Sequence, residues 1–165
     1  MPDLTEIELH HLRAAEGWME LGLPAEAWGE IGHIAPQQQE HPLTLEVRWR
    51  IHAEQGQWED SVRVAEALVQ AQPENVFGWI HRSYALHELK RTREAAELLR
   101  PALKNFPKEE LIPYNLACYA CQFGDLEQAR ALLEAAAQRG NAKEIKARAL
   151  HDPDLAPLRD FIRQW

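Results

Sequence analysis

Cys118-Tyr119-Ala120-Cys121 holds both cysteines of the chain, at a C-x-x-C spacing. Such a pair does redox work when it stands at a helix start after a strand, where the helix dipole lowers a thiol pKa. Here the pair falls within a helical pattern and no strand precedes it. A structural zinc site would need a second ligand pair, and no further cysteine exists. His87 precedes Cys121 by one length of the chain's internal repeat, so Cys118, Cys121 and His87 form the one metal- or redox-responsive set on offer. The alternative, two small reduced thiols at helix spacing, fits the helical context better. His81 and His87 flank Tyr84 at spacings of three on one helical face, where titration near neutrality would make a surface pH-sensitive. The plainer reading is two surface histidines without that role. No Gly-rich phosphate loop, G-x-S-x-G or H-E-x-x-H occurs. The carboxylate pairs Glu109-Glu110 and Asp152/Asp154 fall near helix ends, where they favour the dipole and the cap. These observations predict a protein that is not an enzyme and holds no cofactor and no metal.

The composition agrees. The chain has 165 residues, of which 45% are hydrophobic and 27% charged, as in a globular protein of one domain. Lys plus Arg number 18 and Asp plus Glu 26, a net charge of −8. An acidic chain repels phosphate, which argues against nucleic acid and anionic membrane as partners. No apolar run approaches the length of a membrane span. Met1-Pro2-Asp3-Leu4-Thr5-Glu6 has neither the basic start nor the apolar stretch of a leader. With two cysteines, this predicts a cytoplasmic location.

The elements that must position these residues follow a repeat of about 34 residues. Stepping by that period from Gly22 reaches Gly56, Lys90 and Gly124, and stepping from Ala27 reaches Ser61, Ala95 and Ala129. The frames are about 8–41, 42–75, 76–109 and 110–143, each reading as two helices around a tight turn. Glycine supplies the left-handed end of the first helix. Thr5 with Glu8, Asp125 with Gln128 and Asn141 with Glu144 read as capping boxes, and Thr92 as a cap for the second helix of the third copy. Small residues at Ala15, Ser83 and Ala117 let paired helices approach, while Trp49 stands at the same phase in the second copy. Pro101 must kink or end its helix. After Asn141 we expect a helix over about 142–150, a break at Asp152-Pro153, and a short last helix whose Phe161, Ile162 and Trp165 fold back on the final repeat.

This pattern, with Trp79, Ser83, Ala95, Ala102 and Pro107 in the third copy and Ala117, Gly124, Ala129 and Ala136 in the fourth, resembles the tetratricopeptide repeat. Pro113-Tyr114-Asn115-Leu116-Ala117-Cys118-Tyr119 and Asp152-Pro153-Asp154-Leu155-Ala156-Pro157-Leu158 look like the ending of small bacterial proteins of that family. The resemblance implies an all-α, right-handed solenoid of about four helix–turn–helix repeats. It implies one domain over 1–165, closed by a C-terminal capping helical segment at 144–165.

In that family the first helices line a concave groove. Mapped here, the groove positions include Glu16, Glu20, Glu54, Arg13, Arg50, Phe77, His81, Tyr84, His87, Tyr114, Asn115 and Cys118. Nine of these, Arg13, Arg50, Phe77, His81, Tyr84, His87, Tyr114, Asn115 and Cys118, are the candidate peptide-binding residues, although packing between helices is the competing role for Phe77. Trp18, Trp58 and Trp79 fall at packing phases. The positions that in some members clamp a chaperone's C-terminal carboxylate are Leu12, Glu16, Val47, Phe77 and His81 here, and none matches. The expected function is a non-catalytic protein–protein interaction module, an adaptor or chaperone, binding a protein or peptide ligand. The alternatives are the metal- or redox-responsive protein above and a self-assembling scaffold, with Phe161, Ile162 and Trp165 forming a homodimer contact.

Overall fold

Four first helices end in the same way. Gly22, Gly56, Lys90 and Gly124 all adopt the left-handed conformation, with φ of 70°, 67°, 63° and 76°. At each, the next residue's N–H bonds back five residues: Leu23 to Trp18, Gln57 to His52, Arg91 to Leu86 and Asp125 to Ala120, all at 2.9–3.0 Å. The residue itself bonds back three, closing the paired-carbonyl cap of a Schellman motif. Second helices then begin at Pro24, Trp58, Thr92 and Leu126, each one full repeat after the last. Backbone geometry thus recurs even where Lys90 replaces glycine.

The computed structural model describes residues 3–165; Met1 and Pro2, the start of the segment read for a leader, lie outside the described residues. Among the described residues every regular element is helical. Contacts divide the chain into two units between Ala85 and Leu86.

Unit 1 holds α1 (Glu6–Glu20), α2 (Pro24–Ile31), a 3-10 turn (Pro36–Gln38), α3 (Pro42–Glu54), α4 (Trp58–Ala71) and most of α5 (Val76–Glu88). The Thr5/Glu8 capping box forms as expected. Glu8 also accepts from the Ala35 N–H, tying the head of α1 to the loop after α2. Ala15 and Ala27 are wholly buried where the first hairpin crosses, among Leu12, Ile31, Ile34, Val47 and Ile51. A second cluster joins Leu45, Trp49, Val64, Ala65 and Leu68. Gly78 permits the close approach of α5 to α4, since a Cβ there would lie 2.9 Å from Val69 Cγ2 and 3.0 Å from Val69 N.

Unit 2 holds the end of α5, α6 (Thr92–Leu99), α7 (Ala102–Asn105), α8 (Leu111–Gln122), α9 (Leu126–Arg139) and α10 (Ala142–His151). A 3-10 stretch (Pro153–Leu158) and α11 (Arg159–Arg163) complete it. Pro101 ends α6 and opens α7. Asp125 caps α9 through the Gln128 N–H, and Asn141 caps α10 through the Lys143 N–H. Thr92 differs from expectation. It is the first residue inside α6, and its hydroxyl bonds His87 Nδ1 at 2.9 Å instead of capping. The core comprises Ile112, Leu116, Ala117, Ala129, Leu133, Ala136, Ile145, Leu155, Leu158 and Ile162. Phe161 and Trp165 pack their rings together, Arg130 covers Phe161, and Lys146 donates to the Trp165 carbonyl. The apolar end of the chain is therefore engaged with its own unit.

Candidate functional site

In unit 1, α1, α3, the start of α4 and α5 enclose a cleft of about 630 Å³. Its lining includes Glu16 and Glu20 from α1, Trp49, Arg50 and Glu54 from α3, Trp58 from α4 and Tyr84 from α5. Glu16, Arg50 and Tyr84 occupy the same position in three successive repeats, so one phase delivers all three to one place. Glu20 and Glu54 share a second phase.

The aromatic floor is built by edge-to-face packing. Trp58 meets Tyr84 with centroids 5.7 Å apart at 81°, and Trp49 meets Tyr84 at 6.5 Å and 60°. Behind them His81 stacks on Phe77 at 3.7 Å, and Trp49 meets both in T-shaped contacts. Such contacts contribute about 0.5–1.5 kcal/mol each beyond area. Burial holds His81 neutral down to about pH 4, against 6.5 ordinarily, opposed by the hydrogen bond of Nδ1 to the Phe77 carbonyl. Trp49 is 6% exposed, and its indole N–H has no acceptor among the described residues. An unmet buried donor costs about 1–3 kcal/mol.

Charge in the cleft is uneven. Arg50 pairs with Glu16 at 2.8 Å, both side chains nearly half exposed, so the pair is worth about 0–1 kcal/mol. Arg50 also lies 5.7 Å over the Phe77 ring. Glu20 and Glu54 have no hydrogen bond or ion pair among the described residues. Arg13 lies beside a smaller cleft of about 190 Å³ with Leu9, Glu16, Leu43 and Glu46.

In unit 2 the same repeat phases have another fate. Tyr114 and Cys118 are 4% and 5% exposed, beneath the segment that starts at Asp152. Asp152 Oδ2 accepts from the Tyr114 hydroxyl at 2.9 Å and lies 3.6 Å from Cys118 Sγ, while Oδ1 accepts from the Asp154 N–H. Asp154 accepts from Gln122 at 2.9 Å and pairs with His87 Nε2 at 3.0 Å. The repeat phase makes His87, Tyr114 and Cys118 groove contacts; in this conformation their polar atoms serve the C-terminal segment. Asn115 beside them is half-buried.

The thiol chemistry is correspondingly poor. Burial, reinforced by Asp152 and Asp154, pushes Cys118 well above the ordinary thiol range and Cys121 up to about 11. That is the reverse of a reactive thiolate. Donor atoms of Cys118, Asp152 and Asp154 do lie within 4.8 Å of one another. Asp152 and Asp154 already accept from Tyr114 and Gln122, both His87 nitrogens are engaged, and the group of donor atoms includes neither Cys121 nor His87.

Sequence reasoning places Asp152 and Asp154 as caps, and Asp152 does cap the 3-10 stretch. It misses their reach to α8, because nothing in the spacing relates distant residues that lie outside the repeat. It also misses Trp49 and Trp58 as cleft residues. The signal for Trp49 is present: it breaks the run of small residues Ala15, Ser83 and Ala117.

No family model and no curated protein matches the chain. Solved structures do. TTC0263, a thermophilic tetratricopeptide-repeat protein of Thermus thermophilus, is 18% identical, with a TM-score of 0.69 over 95% of each chain. MamA, residues 41 to the end, from Desulfovibrio magneticus RS-1 is 14% identical, with a TM-score of 0.73 over 98% of this chain and 94% of that one. MamA of MSR-1 is 18% identical, with a TM-score of 0.66 over 88% and 79%. At such identity the likeness is one of fold, and it extends over nearly the whole chain. Helix pairs whose left-handed turns recur at a fixed period, together with the likeness to these structures, give the chain a tetratricopeptide-repeat-like fold.

Proposed function

We propose that the chain is a non-catalytic protein-interaction module, cytoplasmic and bacterial, that binds a peptide segment of a partner along the faces of its first helices. The observation that supports this most is the unit 1 cleft. It is preformed, aromatic-floored and half-polar, and it assembles from groove phases of three successive repeats. Tyr and Trp bury area while keeping a polar handle, which suits them as anchors. No helix is long and apolar enough to cross a membrane among the described residues. The binding residues are Arg50 and Tyr84, with Trp58 beside them and Arg13, Phe77 and His81 contributing to the flanking surface of unit 1; Asn115 is a separate candidate in unit 2.

Affinity capture with the wild type and Arg50→Ala/Tyr84→Ala, both first matched for helicity by circular dichroism, tests this reading. A partner retained by the wild type and lost by the variant is the expected outcome. Equal capture by both would overturn it.

A further inference from the structure

We infer that the unit 1 cleft selects a basic segment, seating an Arg or Lys side chain against Trp58 and Tyr84 within a ring of carboxylates. This rests on the peptide-binding reading and specifies its ligand.

Three observations converge. The cleft carries Glu16, Glu20 and Glu54 against the single cation Arg50, in a chain of net charge −8. Glu20 and Glu54 are exposed and have no hydrogen bond or ion pair among the described residues, so both carboxylates are accessible to a ligand. Trp58 and Tyr84 stand at 81° with centroids 5.7 Å apart, forming an aromatic corner beside those carboxylates. Tyr84 is 41% exposed, leaving ring surface for a ligand. A cation is drawn to an aromatic face and gains further from a carboxylate nearby, whereas an acidic or phosphorylated segment would meet three like charges.

Arg50 shows how such a group would sit. Its guanidinium already bridges Glu16 at 2.8 Å and the Phe77 face at 5.7 Å. An incoming guanidinium would make the same two kinds of contact, with Glu20 and Glu54 and with Trp58 and Tyr84. Because the Arg50–Glu16 pair is half exposed, Arg50 can swing aside toward solvent.

A random octapeptide array probed with the intact chain tests this. We expect binders enriched in Arg or Lys. Replacing the critical Arg of the best binder by citrulline, its neutral isostere, should weaken binding by about ten-fold or more. Glu20→Gln/Glu54→Gln and Trp58→Ala should each weaken it similarly. Glu97→Gln/Glu127→Gln, which removes as much charge from exposed positions in unit 2, should leave it unchanged. Binders without basic enrichment, or with equal affinity for Arg and citrulline forms, would overturn the cation inference and leave peptide binding standing. Equal loss in both glutamine pairs would also overturn it, since net charge alone would then govern binding. An array with no binder at all would overturn both.

Discussion

The same face of the repeat is open in one unit and closed in the other. Glu16, Arg50, Tyr84 and Cys118 follow one another at the repeat period; the first three line a cleft in unit 1, while Cys118 is buried in unit 2 under Asp152. Glu20, Glu54 and Gln122 share the next phase. Among the described residues the two glutamates have no hydrogen bond or ion pair, whereas Gln122 is bound to Asp154. A repeat supplies positions for a site, and local covering decides which of them remain available.

The largest test of this contrast is to loosen the cover. Leu155, within the 3-10 stretch, is wholly buried. Leu155→Ala should cost about 2–5 kcal/mol in denaturant unfolding. It should also accelerate labelling of Cys118 by a thiol reagent, making this face of unit 2 resemble that of unit 1. Stability lost without faster labelling would mean that the segment is not what closes Cys118.

The next effect separates the units by pH. His81 titrates at about 4 in the folded chain and near 6.5 unfolded, because burial favours the neutral ring. As pH falls below 6.5 the unfolded chain takes up the proton first, and stability declines until about pH 4, where the folded ring protonates as well. The loss is on the order of 3 kcal/mol. His81→Phe should flatten that part of the stability–pH curve. An unaltered curve would place the titration elsewhere.

Smaller effects come from the turns. Lys90 adopts φ 63° where the other three copies have glycine. Lys90→Gly should stabilise by about 1 kcal/mol, and Gly56→Ala should destabilise by about 1 kcal/mol. Equal and neutral outcomes would show that the left-handed turn carries no strain. The smallest expected change is that of Glu20→Gln/Glu54→Gln on stability, within about 0.5 kcal/mol, since neither carboxylate has a hydrogen bond or ion pair among the described residues. A larger shift in melting temperature would assign these residues to the fold instead of a ligand.

Much of the fold is legible in the sequence because its signals are local. Glycine where φ is positive, Thr5 with Glu8 at a helix start, proline at 101 and alanine at the crossings each act within a turn or two of helix. They recur at a fixed period that reports itself. The candidate site is only partly legible. The repeat phase points to Glu16, Arg50 and Tyr84, yet it cannot tell that Cys118 and Tyr114, at equivalent or nearby phases, are covered. Thr92, read as a cap, is drawn instead to His87, a choice between two hydrogen-bond partners that only three-dimensional proximity makes.

By itself the sequence determined the helices, their left-handed ends, the register of the repeat and the acidic character of the chain. These depend on backbone preference and composition, which act over a few residues. The tertiary structure alone decided that Trp49 and Trp58 gather with Tyr84 into an aromatic floor, and that Asp152 and Asp154 reach Tyr114, His87 and Gln122. Those contacts join residues far apart in the chain, and pairings of that range are set by how helices pack, which no local pattern encodes.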